Sequence, residues 1–203
     1  NPAEAANQYE YAGLGNVTKT TTAAGYSRPY TYDALGNLTS FTDENGNATG
    51  YEYDALGRVI RSAAADGGET EYQYDALDRP ITVRDPLGNE TLYGYDVMSN
   101  QTSVTRPEGG VYQYTYNFHG AATSMTDPLG NVTEYTVDLN DRLTHKRLPT
   151  GAEYGYEYDL IGRLTKLTQP EGMWDAFTYD GRGDIVKQTD EGGRETTWTY
   201  DIM

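Results

Sequence analysis

The chain contains no cysteine. Disulfides, thiolate nucleophiles and cysteine-ligated zinc are therefore excluded, although an exported protein can do without disulfides. Histidine is scarce, with only His119 and His145 available as proton shuttles near neutral pH. Leu, Ile, Val and Phe together number 31 of the 203 residues, a proportion that in a charged chain usually marks disorder. No apolar run approaches the ~20 residues of a membrane-spanning helix. Residues Asn1 to Glu10 carry neither the basic start nor the apolar stretch of a signal peptide. Basic residues number 15 against 31 acidic ones, a net charge of −16. That balance repels phosphate backbones and argues against a nucleic-acid partner.

What the chain has in quantity is tyrosine, 20 residues of it, where disordered acidic chains are poor in aromatics. The tyrosines are periodic. With the Tyr of each Tyr-Asp pair as position zero, Tyr11, Tyr32, Tyr53, Tyr74, Tyr95, Tyr116, Val137, Tyr158, Tyr179 and Tyr200 recur every 21 residues without insertion or deletion. Such a register is the mark of a repeat array. Residues 1–10 read as a lead-in with a partial repeat, and residues 11–203 as nine full repeats plus the start of a tenth.

Position one is Asp in eight of ten cases, among them Asp33, Asp54, Asp75 and Asp159. A glycine stands at position fourteen throughout, as in Gly46, Gly67 and Gly88. In five repeats a proline precedes it by two residues, and Pro-x-Gly is a turn with a mechanism: Pro pre-sets φ and Gly accepts the left-handed corner. Position nineteen is aromatic, as in Tyr51, Tyr72 and Tyr93. Aromatics at nineteen and twenty-one, such as Tyr51 with Tyr53 and Tyr72 with Tyr74, are two apart in an alternating run and share one face of a strand. The residue between them is polar or small, so one face is aromatic and the other wet. The second turn reads Asp-x-Leu-Gly-Arg/Asn, with Gly57 and Arg58 or Gly162 and Arg163 completing it. Leu14, Leu35, Leu56, Leu77, Met98 and Ile161 are expected to fold these turns back onto the aromatic face.

These elements predict an all-β fold of tandem 21-residue β-hairpin repeats, stacked into a continuous, curved antiparallel sheet ribbon. One hairpin cannot bury its face alone, so neighbours must stack. Two strands per repeat at ~4.8 Å each give nine repeats a length of roughly 85 Å. Curling brings either the Tyr face or the polar face to the concave side. A propeller with two repeats per blade would alternate odd and even repeats, and no alternation is present.

The string Tyr53-Asp54-Ala55-Leu56-Gly57-Arg58 and its copies Tyr32-Asp33-Ala34-Leu35-Gly36-Asn37 and Tyr158-Asp159-Leu160-Ile161-Gly162-Arg163 resemble the YD or Rhs repeat family over essentially all of residues 11–203. In that family, repeat sheets wind into hollow shells, and in its bacterial members the shell encloses a C-terminal toxin. The resemblance implies a non-catalytic, structural role, as an open fragment of a β-cocoon in a secreted or cell-surface bacterial toxin. It implies flanking repeats and a toxin cargo as partners, and no cofactor. The chain begins and ends inside the array, and its unpaired end strands are edges prone to self-association. The middle turns depart from the motif (Asp96 to Asn100, Asn117 to Ala121, Asp138 to Arg142) and are expected to be distorted or to carry a local contact.

Other features read as structure before chemistry. Asp85-Pro86-Leu87-Gly88 and Asp127-Pro128-Leu129-Gly130 are similar to the Asp-Pro-x-Gly strings of the family's self-cleaving core, but they occupy ordinary hairpin turns. Asp43-Glu44-Asn45-Gly46-Asn47 is a solvated acidic turn; calcium bridging of stacked turns through the position-one Asp residues is the alternative reading. No motif supplies a partner that would make His119 or His145 catalytic. A carbohydrate-binding or adhesive module, with exposed tyrosines stacking on sugar rings, is the second functional class.

Overall fold

A computed structural model describes residues 6–200; the first five residues of the lead-in and the last three residues of the tenth repeat lie outside the described residues. The described residues form nineteen strands of one antiparallel sheet. Among the described residues, helix is limited to a single 3-10 turn at Pro170–Gly172. Repeats supply a shorter strand and then a longer one, as in Val59–Ala63 followed by Glu69–Tyr74 and Leu164–Thr168 followed by Trp174–Tyr179; only the last pair, Ile185–Asp190 and Glu195–Thr197, reverses the lengths among the described residues.

The strands group into two compact units. One comprises residues up to Tyr93 with Thr105–Gly109, the other Gly94–Val104 and residues from Gly110 onward. In the first, pairing follows chain order from Gln8 opposite Thr21 to Arg84 opposite Glu90. In the second it runs from Gln113 opposite Thr126 to Thr189 opposite Glu195. Neither run has the break every four strands that propeller blades require.

Both kinds of turn share one geometry, apart from the turn at Pro170–Gly172, where Glu171 is left-handed as well as Gly172. The first residue's N–H donates to the carbonyl four residues on, and the fourth residue's N–H donates back to the first carbonyl. Asp54 N reaches the Arg58 carbonyl at 3.0 Å and Gly57 N the Asp54 carbonyl at 3.0 Å; at the opposite margin Leu148 N reaches the Ala152 carbonyl at 2.8 Å and Gly151 N the Leu148 carbonyl at 2.9 Å. This is the three-residue hairpin loop, in which the fourth residue must be left-handed. Gly57 has φ 80° and Gly151 φ 85°. The departing turns are not distorted. Asp78, Ser99 and Asp141 adopt φ 62°, 69° and 58° in place of Gly and keep the same closing bonds, at 3.2, 3.1 and 3.1 Å.

Beyond each Tyr-Asp turn the ladder shifts. Glu52 faces Arg61 while Tyr53 faces Val59, leaving Ile60 as a bulge. The bulge puts Val59 and Ser62, three residues apart, on the same face as Tyr51 and Tyr53. In the strand Glu69–Tyr74, Thr70, Tyr72 and Tyr74 are half-buried while Glu71 and Gln73 are exposed. The wet face carries ion-pair rungs: Arg61 meets Glu52 at 2.9 Å and also pairs with Glu69, and Lys187 meets Glu195 at 2.6 Å. No apolar side chain is fully buried among the described residues; Thr133, at 6% exposure, is the one buried residue. The tyrosine layer serves in place of a closed core.

The turn leucines do not fold back. Leu56 is 74% exposed and Leu35 78%; Leu14, Leu77, Met98 and Ile161 also stand in solvent. A loop this tight gives its second and third residues no length to double back, so their side chains project past the sheet margin.

Candidate functional site

The Tyr-Asp turn is where repeat meets repeat. Pairing between Val59–Ala63 and Glu69–Tyr74 stops at Arg61 opposite Glu71, which leaves the Val59 carbonyl beyond the ladder on that side. A buried or half-buried carbonyl needs a donor, and the Tyr74 hydroxyl donates to it at 2.8 Å. The same bond, always across 15 residues, joins Tyr32 to Val17, Tyr53 to Leu38, Tyr116 to Gln101, Tyr158 to Leu143, Tyr179 to Leu164 and Tyr200 to Ile185, at 2.6–2.9 Å. Val137 has no hydroxyl to contribute. Burial of the ring raises the Tyr53 and Tyr74 pKa above the ordinary tyrosine value, which keeps the hydroxyl a donor.

Asp54 completes its own turn. Its carboxylate accepts the Leu56 and Arg58 backbone N–H groups at 2.9 and 3.0 Å and the Arg58 Nε–H at 2.7 Å. Arg58 and the backbone donors hold the carboxyl below the usual range. Where position five is Asn, the amide does the same work. Asn37 Nδ2 donates to Asp33 at 2.9 Å, and Leu35 N and Asn37 N fill the other oxygen. Asn and Arg both serve here because each places an N–H against the second carboxylate oxygen.

Arg58 does more than Asn can. Its guanidinium lies 4.8 Å from the centre of the Tyr74 ring and its Nη1 donates to the Asp75 carbonyl at 3.1 Å. Arg163 repeats both contacts, 4.7 Å over Tyr179 and 3.1 Å to the Asp180 carbonyl. Arg142 does so with Tyr158 and Asp159, at 4.9 and 3.0 Å. The tyrosine is thus clasped by the preceding turn through its ring, its hydroxyl and the backbone that follows it.

The sequence-predicted residues separate into three places. Tyr32, Tyr53, Tyr74 and Tyr158 make the hydroxyl bonds, with Asp33, Asp54, Asp75 and Asp159 closing the turns beside them; Gly57 and Gly162 form the left-handed corners and Arg58 and Arg163 the inter-repeat braces. Gly46, Gly67 and Gly88, with φ 83–85°, stand at the opposite margin and take no part in the clasp. Tyr51 and Tyr72 lie within the tyrosine face opposite Ser62 and Val83, and Tyr93 holds the same place in the strand Glu90–Tyr95.

One feature escaped the motif. The position-eleven Asp residues act like those at position one: Asp43 accepts Asn45 N, Asn47 N and Asn47 Nδ2 at 2.8–2.9 Å, and Asp85 accepts Leu87 N, Asn89 N and Asn89 Nδ2 at 2.8–2.9 Å. These carboxylates are engaged by the chain's own N–H groups. The shared Asp-x-x-Gly-Asn spacing was the available signal. Two of the degenerate turns carry a local contact, the second of the two expectations for them: Asn117 Nδ2 donates to Asp141 at 3.0 Å, and His119 Nδ1 lies 3.3 Å from the same carboxylate. His145 sits on the wet face, 3.3 Å from the Thr144 hydroxyl.

The RHS repeat family profile matches residues 32–70, 53–90, 74–111, 137–172 and 179–203. Among solved structures, TcdB2-TccC3 without its hypervariable C-terminal region is 17% identical, with a TM-score of 0.61 over 91% of this chain and 13% of that one. The Photorhabdus luminescens Tc holotoxin pore is 16% identical, with a TM-score of 0.48 over 95% of this chain and 14% of that one. At such identities the likeness to the first is one of fold, and this chain spans a small part of the length of either. No protein of curated function matches.

Proposed function

Because the chain belongs to the RHS repeat family, we propose that it is a wall segment of a bacterial toxin shell, enclosing a C-terminal toxin cargo delivered outside the producing cell. Its partners in this reading are flanking repeats and the cargo. Its action is enclosure rather than catalysis: a hydrogen-bonded sheet keeps the cargo from solvent and from the cell that makes it. The observation that carries the reading is the clasp, in which Arg58 holds Tyr74 and Tyr74 holds Val59, because it ties repeat to repeat in a wall whose described residues bury no apolar side chain.

The test is protease protection in the parent protein. The cargo should resist digestion while the wall is intact and become sensitive when Tyr53, Tyr74 and Tyr158 are together replaced by Ala. A cargo digested equally fast in both proteins would sink the reading.

A further inference from the structure

The tyrosine face of the first unit is interrupted at Ser62. On the preceding short strand Phe41 faces Tyr30, the two rings stacked with centroids 6.4 Å apart, and on the following one Val83 faces Tyr72. Ser62 holds the same place between Tyr51 on one side and Thr70 on the other, and its side chain is too short to fill it. The turn that follows carries less bulk as well. Ala64 stands where Asp43 and Asp85 stand in the neighbouring repeats, and Gly68 where they have Asn47 and Asn89. A Cβ at Gly68 would lie 3.2 Å from Pro86 Cγ, so the next turn crowds out a larger residue there. These departures leave an open depression of about 520 Å³, with Tyr51 and Tyr72 among its walls. The strands that carry the two tyrosines lie about 10 Å apart.

The polar groups of the depression are idle. The hydroxyls of Thr49, Tyr51, Ser62, Thr70 and Tyr72 make no hydrogen bond among the described residues. Asp66 accepts Gly68 N at 2.9 Å and has no other donor among the described residues, whereas the turn carboxylates Asp43 and Asp85 each accept three N–H groups. No basic residue lines the depression.

We propose that it binds a guanidinium group, as carried by an arginine side chain of a polypeptide partner. Aromatic faces attract cations, and the chain uses that pairing itself: Arg58, Arg142 and Arg163 lie 4.7–4.9 Å over Tyr74, Tyr158 and Tyr179. A planar guanidinium slips between two rings and still donates to a carboxylate and to hydroxyls at its rim. An ammonium is compact and strongly hydrated, and it lacks that flat face. A neutral sugar would use the rings and hydroxyls but would leave Asp66 without a counter-charge, in a chain that already carries −16. The proposal rests on the tyrosine face and not on the toxin-shell reading.

Titration of the isotope-labelled 203-residue chain with N-acetyl-arginine amide, followed by NMR at low salt, tests this. Saturable shifts are expected at the Ser62, Ala64, Asp66 and Thr70 amides. N-acetyl-citrulline amide has nearly the same shape without the charge and should bind about fivefold more weakly or worse. Asp66→Asn keeps an oxygen for Gly68 N and should weaken arginine binding about fivefold. Glu108→Gln, at the same loop position in another turn, should leave it unchanged. Ser62→Phe fills the depression as Phe41 fills its neighbour and should abolish the shifts, with the far-UV spectrum intact. The proposal is overturned by the absence of saturable shifts, by equal binding of the two probes, or by full binding in Asp66→Asn. Shifts at these amides with methyl glucoside but not with the arginine probe would also overturn it and assign the depression to a sugar. Cargo protection is read separately in the parent protein, so the two proposals fail independently.

Discussion

The Tyr74 hydroxyl donates to the Val59 carbonyl at 2.8 Å, across 15 residues. It answers the acceptor that the ladder leaves behind where pairing ends at Arg61. In a repeat array, stability is close to a sum of repeat terms and nearest-neighbour terms, and this bond belongs to the second kind.

Removing the hydroxyl alone should therefore weaken the joint without disturbing the ring. Tyr53→Phe, Tyr74→Phe and Tyr158→Phe are each expected to cost about 1 kcal/mol in urea unfolding followed by circular dichroism. Val137→Tyr adds the missing donor and should raise the midpoint. Unchanged midpoints in all three Phe variants would show that the carbonyls find water equally well.

The left-handed corners held by ordinary residues are strained. Ser99→Gly should stabilise the chain by about 1 kcal/mol, since a side chain there costs roughly 1–2 kcal/mol, and Asp78→Gly should gain less, because it also loses the 2.8 Å ion pair with Arg58. Asp141→Gly should gain less, because it also loses the contacts to Asn117 and His119. Gly57→Ala, at φ 80°, should destabilise. Thermal midpoints of the four variants decide the matter, and a gain from Gly57→Ala would contradict the assigned turn.

The turn carboxylates predict how acid unfolds the chain. Asp33, Asp43, Asp54, Asp75, Asp85, Asp127 and Asp138 all titrate below their ordinary value of 3.8 in the folded chain, chiefly through the side-chain N–H of the Asn or Arg four residues on. Above that value both states are ionised and the stabilisation is complete. As pH falls below about 4 the unfolded chain takes protons first, and stability drains away until the folded carboxyls titrate. The raised Tyr53, Tyr74 and Tyr116 give the mirror effect, with stability full below pH 10.0 and lost as pH climbs through the folded values. Unfolding midpoints measured against pH should be level between these limits. A decline beginning near pH 6 would contradict the carboxylate account.

Position five separates two roles. Arg58→Asn retains a donor for Asp54 but loses the Tyr74 stack and the Asp75 carbonyl bond, whereas Arg58→Ala loses everything. Thermal midpoints should rank wild type above Arg58→Asn above Arg58→Ala. Equal midpoints for the two variants would mean that the Asp54 bond contributes nothing there.

The strands and their register were legible because Tyr51 and Tyr53 alternate with polar neighbours and because the 21-residue spacing never slips. The left-handed glycines were legible from Pro-x-Gly and from Leu-Gly-Arg. The clasp was not. Its acceptor is a backbone carbonyl, which carries no letter in the sequence, and whether Val59 lacks a strand partner depends on the bulge at Ile60. The direction of the turn leucines was misread for a related reason: hydrophobicity says that Leu56 is apolar, while the shortness of its loop decides that it cannot turn inward. Asp43 and Asp85 could have been matched to Asp33 by their common Asp-x-x-Gly-Asn spacing.

Each tyrosine reaches back the same 15 residues, and each brace reaches forward to the next Tyr-Asp turn alone. Excision of a whole 21-residue block, residues 39–59 for example, brings Tyr74 to the same distance from Leu38 that Tyr53 now has. Unequal crossing-over between gene copies can therefore lengthen or shorten such an array one unit at a time, without new side chains having to evolve at the junction. In the proposed shell, enclosed volume then becomes a quantity that recombination adjusts, independently of whatever sequence is carried inside.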